Sequence, residues 1–170
     1  RLNLRERLNV KPALSPDAQT IYYSSWRYAA VHILVSIPEF QRREQIAEHL
    51  GISLAYISVI LDFLSKEGLV TLDGGRYRIG KTRIHLGNDS PLISLHHANW
   101  RLQALQSLDR ELSPSKGEDL HYSAIVSISE EDLPKLKAHL VKAIEQFEAM
   151  VKKSKEEQLH CFCLDLFNIV

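Results

Sequence analysis

Glu44-Gln45-Ile46-Ala47-Glu48-His49-Leu50-Gly51-Ile52-Ser53 runs into a helical stripe of Ile57, Ile60, Leu61 and Leu64, and then into Gly68-Leu69-Val70. Small Ala47 lets two helices cross closely, Gly51 permits the turn between them, and the four aliphatic residues give the following helix a buried stripe. This is the register of a helix-turn-helix. Arg42 to Leu50 predicts a short helix closed by Gly51, and Ser53 caps a helix running to about Glu67, closed by Gly68. Upstream, Thr20 to Ile37 contains no Gly or Pro, and Trp26, Ala29, Ala30, Ile33, Leu34 and Ile37 recur at three- and four-residue spacing. That pattern predicts one long amphipathic helix, ended by Pro38. Downstream, the β-prone runs Leu69-Val70-Thr71-Leu72 and Arg76-Tyr77-Arg78-Ile79 flank Asp73-Gly74-Gly75, a strong hairpin signal. Helix, helix, turn, helix and a two-stranded wing make residues 20–80 a winged helix-turn-helix domain. Residues 1–19, polar and broken by Pro12 and Pro16 with an apolar rhythm at Leu2, Leu4 and Leu8, form an N-terminal arm or linker.

Residues 81–90 are a polar connector in which Ser90 and Pro91 suit the cap and first position of a new helix. That helix runs to about Leu112 and carries more leucines than free solvation explains. Pro114 to Gly117 is a turn. Leu120, Tyr122, Ala124, Val126 and Ile128 alternate with His121, Ser123, Ile125 and Ser127 as a strand does. Ser129, Glu130 and Glu131 open a long helix striped by Leu133, Leu136, Leu140, Ile144, Phe147 and Val151, with Lys152, Lys153 and Lys155 at its far end. Leu159 to Val170 reads as a further strand, and the intervening helix is long enough to cross between parallel strands. The expected fold class is therefore α+β, the winged helix followed by an α/β domain over 91–170 that dimerises or senses. Two strands alone make a poor sheet, so this half is expected to lean on another segment or a second subunit.

The 170 residues are 45% hydrophobic and 25% charged, average for a globular protein. Basic and acidic side chains balance at 21 each, so any attraction to nucleic acid has to be local. Residues 1–80 carry ten Lys/Arg against eight Asp/Glu, and residues 81–170 eleven against thirteen. No run approaches a membrane span or a signal core, which makes a cytoplasmic protein without membrane contact the expectation. The only methionine is Met150, so a longer chain with something upstream is expected.

Few residues suggest chemistry. His160-Cys161-Phe162-Cys163 brings soft ligands together, but its spacing offers no second knuckle for a structural zinc. The cysteines are expected as buried small hydrophobes with no disulfide, and His96, His97 and His121 as polar-face or interface residues. No glycine pattern cradles a phosphate and no nucleophile has a plausible base, so neither a cofactor, a metal nor an enzyme activity is expected. The outward face of the 53–67 helix carries Ala55, Val59, Asp62 and Lys66, flanked by Tyr56, Ser58 and Phe63. This is lean for base recognition, and Asp62 opposes phosphate. Arg42, Arg43, Arg76, Arg78, Lys81 and Arg83 supply charge from the neighbouring helix and the wing.

Tyr22-Tyr23-Ser24-Ser25-Trp26, Ile93-Ser94-Leu95-His96, and the run Leu120-His121-Tyr122-Ser123-Ala124-Ile125-Val126-Ser127-Ile128-Ser129-Glu130-Glu131 ending in Leu164-Asp165-Leu166-Phe167 accompany the winged helix in a set order. Over residues 20–170 that order resembles a little-characterised bacterial family of predicted winged-helix transcriptional regulators with a C-terminal domain of unknown function (DUF4423-like). The resemblance implies a transcriptional regulator with a further helix-turn-helix-like segment upstream.

The leading expectation is a homodimeric regulator binding duplex DNA. Ser53, Tyr56 and Ser58 sit on the docking helix, Arg76, Arg78 and Lys81 on or beside the wing, and Arg42 and Arg43 anchor the preceding helix. The alternative is a protein-interaction module whose winged helix no longer binds DNA and presents Tyr56, Val59 and Phe63 to a partner.

Overall fold

Ser15 accepts a hydrogen bond from the Ala18 amide at 3.2 Å and Pro16 takes the first helical position, which together start α1 (Pro16–Tyr23). In this computed structural model, which describes residues 14–84, 86, 87, 89–110 and 119–169, the single helix expected over Thr20–Ile37 is two. Ser24 Oγ donates to the Ile21 carbonyl at 2.6 Å, and Ser25 Oγ accepts from the Arg27 amide at 3.3 Å, capping α2 (Trp26–Leu34). Two consecutive serines compete for the backbone and break the helix without disturbing the apolar spacing on either side. The expectations for Leu2, Leu4 and Leu8 and for the turn at Pro114–Gly117 lie outside the described residues.

A single 3-10 turn at Pro38–Phe40 leads to α3 (Arg43–Leu50), which ends at Gly51 with φ 62, the left-handed backbone that glycine adopts without penalty. Ser53 accepts from the Tyr56 amide at 3.3 Å and caps α4 (Leu54–Lys66). Strands β1 (Val70–Asp73) and β2 (Arg76–Ile79) pair antiparallel, Val70 opposite Ile79 and Asp73 opposite Arg76. At the base of this hairpin the Gly80 amide donates to the Leu69 carbonyl at 2.7 Å. A Cβ at residue 80 would lie 2.1 Å from the Gly68 carbonyl oxygen, so only glycine allows that approach. The fold is thus α+β, mostly helical with one small antiparallel sheet among the described residues.

Ile57, Ile60, Leu61 and Leu64 of α4 are wholly buried, as the stripe requires, against Val31 and Leu34 of α2 and Ile46 of α3, with Leu69 and Val70 closing the core. Fully burying one such side chain contributes about 1.5–3 kcal/mol. The core also holds a polar pair, in which the Tyr22 hydroxyl and His32 Nδ1 lie 3.1 Å apart.

Ser90 Oγ accepts from the Leu92 amide at 3.2 Å just before α5 (Ile93–Arg110). Asn99 Nδ2 donates to the Tyr23 carbonyl at 2.8 Å, and the His96 ring meets Tyr23 edge-on at 5.3 Å, fastening α5 to the end of α1. Arg101 Nε donates to both Asp165 oxygens at 2.8 and 2.9 Å, tying the C-terminal segment to α5.

The described residues up to Arg110 and from Glu156 onward form one compact unit, and those between form a second, built on α6 (Asp132–Val151). Ser129 Oγ accepts from the Asp132 amide at 3.1 Å ahead of that helix. Among the described residues neither of the two strands expected at 120–128 and from Leu159 onward is present, so the expected strand-helix-strand arrangement is corrected. A strand exists only where a neighbour completes its ladder, and neither alternation nor β-branching supplies one. The cysteines are corrected with it: Cys161 is exposed and Cys163 half-buried, both free, with sulfurs 3.7 Å apart.

Candidate functional site

The α4 stripe fixes which residues face outward, and Ala55, Val59, Asp62 and Lys66 are all exposed, Val59 to 56%. The hairpin is held to the start of α3 by one long-range bond, the Tyr77 amide donating to the Gln41 carbonyl at 2.7 Å. Because alternate residues of a strand share a face, Arg76 and Arg78 lie on one side of β2 while half-buried Tyr77 points the other way. The Tyr77–Gln41 bond ties β2, which carries these arginines, to the residue just before Arg42, which precedes the first turn of α3, and Arg43, which opens it. All four are exposed, and among the described residues Arg42, Arg76 and Arg78 enter no ion pair.

Acidic groups interleave with this cluster. Arg43 Nε donates to Glu44 Oε1 at 2.9 Å. That bond holds the Glu44 carboxyl below its ordinary range and raises the Arg43 guanidinium, to which Tyr77 and Asp62 add smaller electrostatic contributions. Asp62 of α4 therefore lies within electrostatic reach of Arg43. Asp73 faces Arg76 across the hairpin register.

The remaining sequence-selected residues are placed differently. Lys81 is exposed but lies past the base of the hairpin, five residues from Arg76, up to roughly 16 Å of extended chain. Ser53 is occupied as the cap of α4, and Ser58 Oγ donates to the Leu54 carbonyl at 2.9 Å. Both hydroxyl oxygens keep accepting capacity. Tyr56 is half-buried, and among the described residues no hydrogen bond joins it to the arginine cluster through its side chain.

Two contributors escaped the sequence reading. Arg27, at the start of α2, places its guanidinium 5.4 Å from the Trp26 ring centroid and 5.8 Å from that of Tyr56, so it links α2 to the first turn of α4. Its signal was a cation beside Trp26, off the apolar stripe. Gln41 acts on the hairpin through its carbonyl, which no residue type announces. Phe63 packs edge-on against Tyr28 at 5.3 Å, so of the apolar trio Tyr56, Val59 and Phe63 only Val59 is exposed.

Among the described residues no group of three or more His, Cys, Asp or Glu is placed to hold a metal, and no helix is long and apolar enough to cross a membrane. A family model described as a domain of unknown function, DUF4423, matches residues 7–169. The chain belongs to the DUF4423 family. That match spans both compact units, so the arginine cluster and α6 are parts of one DUF4423 domain. No curated protein and no solved structure matches the chain.

Proposed function

We propose that this DUF4423 chain is a cytoplasmic, homodimeric transcriptional regulator that binds duplex DNA through residues 20–80 folded as a winged helix. The chain acts by binding and carries out no catalytic step. The observation that supports this most is the Tyr77–Gln41 bond, which ties β2, with exposed Arg76 and Arg78, to the residue before exposed Arg42 and Arg43 at the start of α3. Exposed guanidiniums on two elements joined in this way suit phosphates, because each neutralised phosphate releases counterions. Tyr56, Ser53 and Ser58 reach phosphate oxygens from the first turns of α4. With Asp62 and Val59 on the helix face, affinity comes from the backbone more than from base edges.

Arg76→Ala with Arg78→Ala is expected to weaken binding to every duplex alike and to reduce the salt slope by about two, one for each phosphate no longer neutralised. Salt-dependence of fluorescence anisotropy reads both effects, and unchanged affinity in the double variant overturns the geometry.

The second reading, a protein-interaction module, is favoured by exposed Val59 and Ala55 on the outward face of α4. It expects partner binding that is insensitive to salt and lost on Val59→Asp.

A further inference from the structure

The second unit carries an apolar surplus and no interior. None of its described residues, 119–155, is buried, yet Leu120, Tyr122 and Ile125 are 93, 88 and 89% exposed, and along α6 Val141, Met150 and Val151 are 54, 67 and 54% exposed. The α6 stripe residues Leu133, Leu136, Leu140 and Ile144 are only half-buried. Apolar exposure of this extent marks an interaction face.

We infer that this face binds a second copy of the same chain, with α6 packed antiparallel against α6 of that copy. The inference rests on the proposed regulator only for its homodimer, which it gives a surface and an orientation, and it needs no DNA. Charge decides the occupant and the direction. The first half of α6 holds Lys135 and Lys137 against Asp132, and the second half holds Glu145 and Glu148 against Lys142 just past its midpoint. Parallel copies would set like charges together, and antiparallel copies set lysines against glutamates.

Helical geometry makes this specific. About a two-fold axis at Lys142, Leu140 meets Ile144 and Leu133 meets Val151 of the other copy. At about 100° per residue, Lys137 and Glu148 lie roughly 60° and 80° from Leu140, on the same edge of the stripe. Residues on the same edge face each other across an antiparallel pair, so with this axis Lys137 of each copy comes within one residue of the level of Glu148 of the other, twice by symmetry. Both side chains are exposed. Exposed pairs contribute little energy, so they set direction while the apolar seam supplies affinity. The 20-residue helix spans about 30 Å, and exposed Leu120, Tyr122 and Ile125 of the same unit add apolar area toward the roughly 800 Å² per partner that a stable interface buries.

The test is sedimentation equilibrium of the full chain, without DNA, over a range of micromolar concentrations. The wild type is expected to dimerise. Lys137→Glu and Glu148→Lys are each expected to weaken the dimer about tenfold, and both the double variant and an equimolar mixture of the two single variants are expected to recover it. Recovery by mixing cannot arise from a contact within one chain. A dimer indifferent to either substitution, or weakened without recovery on mixing, overturns this face and leaves the homodimer standing. A monomer throughout overturns both, and neither result bears on DNA binding.

Discussion

His32 is the residue through which pH reaches the core. Its Nδ1 meets the Tyr22 hydroxyl, and its Nε2 lies near the Leu69 backbone outside hydrogen-bonding geometry. Burial lowers the imidazole pKa below 6.5, and the opposing effect of Leu69 is smaller. The unfolded chain therefore binds more protons than the folded one as pH falls through about 6.5, so stability declines on acidification through that range. His32→Asn keeps an acceptor near Nδ1 and cannot charge. Thermal unfolding between pH 7.5 and 5.5 is expected to show a shallower decline in this variant than in the wild type. Arg27 is the other residue with reach beyond its neighbours, since its guanidinium joins Trp26 of α2 to Tyr56 of α4. Arg27→Ala is expected to cost about 0.5–1 kcal/mol in denaturant unfolding.

At the scale of elements, the hairpin is the part whose position decides where Arg76 and Arg78 lie relative to α3. Gly80 sets its base, and a methyl there collides with the Gly68 carbonyl. Gly80→Ala is expected to destabilise the chain by about 1–3 kcal/mol, measured by urea unfolding, and to loosen the tie between Tyr77 and Gln41. α3, α4 and the hairpin were legible because their signals are local: Gly51 in its turn, Ser53 at its cap, the Ile57–Leu64 stripe, and Gly74-Gly75 between two β-prone runs. The break at Ser24-Ser25 was hidden because the apolar spacing continues across it. The strands expected at 120–128 and from Leu159 failed for a different reason. Alternation describes what a segment does beside a neighbour, and no described segment of the chain provides that neighbour. The arginines of the candidate site could be selected by type, but the tie between the two elements that carry them is a bond to the Gln41 carbonyl, which side-chain identity does not encode.

The whole molecule balances 21 basic against 21 acidic side chains, so no long-range field steers it toward a polyanion. On the proposed reading, binding to DNA comes from exposed Arg42, Arg43, Arg76 and Arg78, with Glu44, Asp62 and Asp73 setting its limits. Modest affinity and a steep loss with salt are the expected signature, and a dimer joined through α6 would double the edge available to one duplex. On the same reading, the α4 outward face, with one cation and one carboxylate, is expected to give less sequence preference than an arginine-rich reading helix. The most direct measurement is a fluorescence-anisotropy titration of the chain against a random duplex at about 50 and 200 mM salt. Binding that weakens markedly at the higher salt is expected. No binding at either salt, or binding that salt leaves unchanged, would contradict the DNA-binding function.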